Sequence, residues 1–428
     1  MAFGVLTGME MVNEYIQAAL YTGIACVCFF FILRNDMNRF FAWLPFLAFN
    51  EILIRNTALF VPYLFISYFY IASFGYLLIR TGGILKVHSR AFIFLLFFVL
   101  IEYLNTFRSN DLEYARFLLI NSAALVVIVL WASSYIMKPK EINTLFSSIK
   151  IAGIYLCGII MAAHIRGNIQ YGLESSHAAS NGLAPVQISG YMGLTSIIFF
   201  LSIVSGDKRQ NTLLNIILFM VNSTIMLLSF SRGGLYFVAA VAALYFLFNL
   251  RKIATYGALL LLVPVVMLIY NYVSTETGGI IQQRYEEQST SGRIDLAKAA
   301  FTLFSEEPLA GIGTANFVTE IEKQGLFRSQ SGAHNESTRV AAAHGILGII
   351  TYWGFYIFLF AEIVKRKKIQ RDFAIYFFVL FCLIIVHNGL KISIQPLILM
   401  LVVATPSYRV IQKSTNRHTS KRLAGYAG

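Results

Sequence analysis

The residues best suited to chemistry in this chain are a few arginines and one histidine set among apolar runs. His334 stands in "SGAHNEST", followed at once by Asn335 and Glu336, with Arg339 a turn further on, where a polar segment gives way to a long apolar run. Arg232 lies in "LLSFSRGGLYF", between two apolar runs, Arg293 in "SGRIDLAKAAFTLFSEEP", and Arg166 in "AHIRGNIQYG". A histidine poised near neutral pH suits general-base work on a hydroxyl. Guanidinium groups in a water-poor site stabilise negative charge on a leaving group without a metal. An arginine at membrane depth costs about 2.5 to 3.5 kcal/mol on insertion scales, which makes it a functional candidate by default. The plainer accounts are snorkelling to the interface, or pairing with Glu51 or Glu102, for Arg232; a surface position for Arg293; and helix packing for His344.

Other patterns fail. "GIGTAN" (311–316) lacks the third glycine and the preceding strand of a dinucleotide fingerprint, and "SFSRGG" lacks the first glycine of a nucleophile elbow. "HNES" is not HExxH, and no paired-carboxylate spacing near these residues suits a divalent ion, so no metal site is expected. The four cysteines, Cys26, Cys28, Cys157 and Cys382, all fall inside apolar runs, which favours small buried residues over a redox or metal pair.

The elements that must position these residues are membrane helices. The chain has 428 residues, 57% of them hydrophobic and 13% charged, with a mean hydropathy of +0.67. A soluble domain is about 25% charged and lacks repeated uninterrupted apolar runs of about 20 residues. The fold class expected is all-α, a polytopic integral membrane protein of about 12 to 13 transmembrane helices. Apolar runs place spans near 16–33, 40–54, 57–79, 91–106, 115–137, 148–165, 185–205, 211–230, 232–250, 253–273, 342–364, 373–387 and 391–411. The opening "MAFGVLTGMEMVNEYIQ" carries glutamates and no basic residue, unlike a signal peptide, so the first run is expected to stay in the protein.

If the first span runs outside to inside, the short basic connections all fall on the cytoplasmic side, among them "KRKKIQR" (365–371) and the C-terminal tail. That bias accounts for the net charge of +13 without nucleic acid. The organisation expected is a first bundle of ten spans (1–273), a long external loop with short helices (274–341), C-terminal spans (342–411) and a basic cytoplasmic tail (412–428). The long loop is not disordered in composition. Within it "SGRIDLAKAAFTLFSEEP" reads as an amphipathic helix with Ile294, Ala297, Phe301 and Phe304 on one face, ended by Pro308 and "GIGTANF".

"SFSRGG" in a central helix, then "SGRIDLAKAAFTLFSEEPLAGIGTANF", then "AHNESTRVAAAHGILGIITY", together resemble the bacterial O-antigen ligase and O-antigen polymerase superfamily over roughly residues 225 to 360. The resemblance implies a metal-independent glycosyltransferase of the bacterial inner membrane. Its fold would be GT-C-like and all-helical, its active site on the periplasmic face beside the long periplasmic loop, and it would need no cofactor. The donor would be an undecaprenyl-pyrophosphate-linked oligosaccharide. By position, Arg232 and Arg293, with Arg166 as a third, would bind the diphosphate. His334 would assist the acceptor hydroxyl, and Asn335, Glu336 and Arg339 would support it. The partners implied are that donor, an acceptor glycan or lipid A core, and membrane lipids. "SGAHNEST" departs from the proline-histidine-asparagine run associated with ligases, which favours a polymerase of O-antigen or surface polysaccharide over a ligase. A polysaccharide or lipid-linked oligosaccharide transporter is the reading from a different class. The absence of an internal repeat and the single long loop weigh against it.

Overall fold

The computed structural model describes residues 14–57, 64–81, 89–167, 169, 183–205, 211–229, 231–250, 253–286, 292–326, 335–389 and 393–407. They form helices α1 (Glu14–Leu33), α2 (Met37–Thr57), α3 (Phe65–Thr81), α4 (Arg90–Thr106) and α5 (Leu112–Ser134), then the short strand β1 (Ile136–Met137). Next come α6 (Pro139–Ile165), α7 (Pro185–Ser205), α8 (Thr212–Leu228), α9 (Gly233–Asn249) and α10 (Ile253–Glu276). Three shorter helices follow, α11 (Ile280–Glu286), α12 (Arg293–Glu306) and α13 (Phe317–Lys323). The chain closes with α14 (Glu336–Val364), α15 (Lys368–Asn388), α16 (Ile394–Val403) and the strand β2 (Thr405–Pro406). The protein is all-α, and the two strands are a two-residue parallel pair.

Each apolar run read from the sequence overlaps one of these helices over its described residues. Among the described residues five helices, α5, α6, α7, α14 and α15, are long and apolar enough to cross a membrane, and shorter apolar helices accompany them. Caps set several boundaries: Ser89 Oγ accepts from Phe92 N at 3.2 Å, Asp111 Oδ1 from Tyr114 N at 2.9 Å, and Asn211 Oδ1 from Leu214 N at 3.1 Å. Pro139 opens α6, where its missing N–H costs nothing.

Three sequence expectations are corrected. The span expected over 115–137 stops at Ser134, and within the described residues of the one expected over 391–411 the helix covers Ile394–Val403. Both shorten for one reason: the chain beyond each becomes a strand, with Thr405 N donating to Tyr135 O at 3.2 Å and Ser407 N to Met137 O at 2.9 Å. The third concerns α12, which exists but buries a different face. Leu296, Ala299, Ala300 and Leu303 pack with Phe317, Ile321 and Ala342, whereas Ile294 is 52% exposed and Phe301 69%. Small residues let α12 lie close against α14 and α13, so proximity rather than side-chain size selects the buried stripe.

Candidate active site

The segment "SRGG" breaks the chain between α8 and α9 and is stitched to α7. Ser189 Oγ donates to Ser231 O at 3.0 Å and accepts from Gly234 N at 2.7 Å. Arg232 is the N-cap of α9 and is half-buried. The two glycines after it have separate jobs. A Cβ at Gly234 would run into Ser189 and Met226, so this glycine lets α9 meet α7 backbone to backbone. A Cβ at Gly233 would run into the imidazole of His387, so that glycine makes room for a side chain from α15.

His387 leads to the second arginine. Arg293, the first residue of α12, follows Gly292 in the left-handed region (φ 70°), and its Nη1 lies 3.0 Å from His387 Nδ1. His387 Nε2 lies 3.3 Å from Ser231 Oγ. Burial is the main influence pulling the Arg293 pKa below its ordinary value; Tyr236 opposes it and the like charge of Arg232 reinforces it. The structure therefore gathers Arg232 and Arg293 near each other, half-buried, from helices far apart in sequence. Two guanidinium groups held within each other's field suit a multiply charged anion.

Asn335, Glu336 and Arg339 form the start of α14 and turn inward. Asn335 Oδ1 caps the helix by accepting from Ser337 N at 2.9 Å. Glu336 and Arg339 are 1% and 3% exposed. Arg339 Nε donates to Glu336 Oε1 at 2.9 Å and its Nη2 to Glu102 Oε1, on α4, at 2.8 Å. Glu102 is thus committed to Arg339, while Glu51 accepts from Tyr191 Oη at 3.0 Å and Ser393 N at 3.2 Å. His344, read from the sequence as a packing residue, is fully buried beside this ion cluster. Its Nδ1 is 3.0 Å from Asn105 Nδ2 and its Nε2 3.7 Å from Glu102.

The same corner fixes the "GIGTAN" turn. Ile312 N and Gly313 N donate to Ala342 O and Ala343 O at 3.0 and 3.1 Å, and Thr314 N donates to Asn105 O at 3.3 Å. Asn105 Nδ2 donates to Ala310 O at 3.2 Å. Those amides bind backbone rather than a phosphate. α14 is kinked there, at Gly345 (φ 61°, ψ −154°). Gly311 has φ 72°, and a Cβ on it would strike the backbone of Ala343 and His344. Replacing Gly311 by alanine should therefore cost about 2 kcal/mol or more, adding left-handed strain to a clash with backbone. A clear fall in the thermal-unfolding midpoint checks it.

Arg166 is the exposed C-cap of α6. It follows His164, whose Nε2 is 3.2 Å from Glu276 at the end of α10, so it stands where the long segment begins. His387, Tyr236 and Arg232 all act on Arg293. His334 lies outside the described residues, immediately before Asn335. Among the described residues, no group of three or more His, Cys, Asp or Glu is placed to hold a metal ion. The sequence reading missed His387 and Asn105. A topological signal for His387 existed, since it ends the span expected over 373–387 on the same membrane face as Arg232.

The fold and the site define a class: an all-helical membrane protein with a cationic site at the ends of its helices. Residues 216–353 match the O-antigen ligase family model, which supports the O-antigen ligase and polymerase superfamily. The match takes in Arg232, Arg293 and His334 and leaves out Arg166, Glu102 and His387. No curated protein matches the chain.

Proposed function

We propose that the protein is a metal-independent glycosyltransferase of the bacterial inner membrane. It takes a glycan from an undecaprenyl-pyrophosphate carrier on the periplasmic face and joins it to a second lipid-linked unit, as a polymerase of O-antigen or surface polysaccharide. The observation that carries this reading is the pairing of Arg232 and Arg293 at half-buried positions. Breaking the bond between the anomeric carbon and the pyrophosphate leaves an electron pair, and negative charge, on the departing phosphate oxygen. Guanidinium groups already in place stabilise that charge with little reorganisation. The acceptor hydroxyl gives up its proton as it attacks, and His334, by its place in the sequence just ahead of α14, is assigned to receive it. Arg166 is assigned to the outer part of the carrier's diphosphate, while Asn335, Glu336 and Arg339 hold the start of α14.

The description of the matched family favours a second reading, transfer of the glycan to lipid A core. Reconstituting the purified protein with an undecaprenyl-pyrophosphate-linked oligosaccharide in EDTA, with and without lipid A core, separates the two by mass analysis. A ladder of repeat units without core is expected for the polymerase, and transfer only when core is present for the ligase. Activity in EDTA should equal that without chelator. A requirement for added divalent ion would overturn metal independence, and no transfer with matched donor and acceptor would return the site to a transporter.

A further inference from the structure

His387 touches both arginine-bearing elements while lying outside the stretch that matches the family. Its ring fills the space left by Gly233, stands edge-on to Phe237 at 6.0 Å and 84°, and is 8% exposed. A guanidinium only donates hydrogen bonds, so the 3.0 Å contact from Arg293 Nη1 requires a bare Nδ1. The ring proton of the neutral imidazole then sits on Nε2, where Ser231 Oγ at 3.3 Å accepts it. Ser231 is in turn bound through its carbonyl to Ser189. The chain α7, Ser231, His387, Arg293 thus hangs the guanidinium of a loop helix from the rigid bundle, beside Arg232.

From this geometry we infer that His387 is a positioning residue. It holds Arg293 in the one orientation that makes Arg232 and Arg293 a two-arginine clamp for a diphosphate. A free arginine side chain loses rotamer freedom when it grips an anion, and a clamp fixed beforehand avoids that cost. The inference rests on the diphosphate reading given above.

The two ring nitrogens supply the test. Asparagine places its Oδ1 near the position of Nδ1 and can accept from Arg293. Glutamine reaches toward the position of Nε2 and can serve only Ser231. His387→Asn, His387→Gln and His387→Ala are compared with wild type as full-length proteins in nanodiscs, by two measurements. One is the rate at which phenylglyoxal modifies Arg293, followed by mass spectrometry, which needs no ligand. The other is the Kd for undecaprenyl pyrophosphate. His387→Asn should keep both near wild type. His387→Gln and His387→Ala should raise the modification rate severalfold and weaken binding by about tenfold, the size of one lost charged hydrogen bond. If Asn behaves as Gln and Ala do, or if all three match wild type, the positioning role is wrong. Wild type failing to bind undecaprenyl pyrophosphate would overturn the diphosphate reading instead, and the modification rates alone would then decide whether His387 orients Arg293.

Discussion

Arg232→Ala and His334→Ala are each expected to abolish glycan transfer while leaving expression and membrane insertion intact. For Arg232 the loss should be about 10²- to 10³-fold in kcat, the usual effect of removing one preorganised group from charge that develops in a transition state. Arg232→Lys should recover only part of it. An ammonium keeps the charge but loses the planar fork that grips two phosphate oxygens at once. Folding should survive because Arg232 caps α9 without a side-chain capping bond, and the turn around it is held by Ser189. For His334 the expected loss is about 10²- to 10⁴-fold, the range of general-base catalysis. Transfer assays on variants matched for yield and gel-filtration profile decide both. Full activity in either variant removes the role assigned to that residue.

Arg339 should behave in the opposite way, as a residue whose loss shows first in stability. Arg339→Met leaves Glu102 and Glu336 buried together without their cation. Breaking a buried pair on one side costs about 3 to 5 kcal/mol, because the orphaned charge remains desolvated. The expected result is a large drop in the midpoint of thermal unfolding in detergent. Adding Glu102→Gln and Glu336→Gln should restore much of it, because replacing all members of a buried ion cluster together is far milder than removing one. A single variant as stable as wild type would show that the cluster contributes nothing to the fold.

The parts of this architecture that local pattern controls were visible in the sequence. Over the described residues the apolar runs became helices for most of their length, five of them long and apolar enough to cross a membrane, because a backbone in hydrocarbon must satisfy its own hydrogen bonds. The break at "SRGG" and the helix after Gly292 were also legible, since glycine and charge interrupt apolar periodicity. Less was visible where a partner arrives from far along the chain. Arg293 and His387 are 94 residues apart, Arg339 and Glu102 237 apart, and no spacing rule joins them. The buried face of α12 was misread for the same reason. Hydrophobicity along one helix points to Ile294 and Phe301, but the surface it meets, Ala342 on α14 and Phe317 on α13, rewards close approach by Ala299 and Ala300. Glu336 and Arg339 were legible as polar residues near His334, and only the three-dimensional arrangement turns them toward α4.

The Glu102–Arg339 pair also constrains how the chain is made. Helix α4 leaves the ribosome long before α14, carrying a carboxylate near its end whose cation has not yet been synthesised. A lone acidic residue facing an apolar environment is expensive, so the buried position of Glu102 depends on a partner made later. That cation comes only with α14, which also brings His344 to Asn105. The surroundings of Glu102 are therefore expected to be completed only after Arg339 has been made. A chain truncated before residue 339 should accumulate in membranes less well than the same truncation carrying Glu102→Gln, and equal yields would show that the carboxylate is tolerated without its cation.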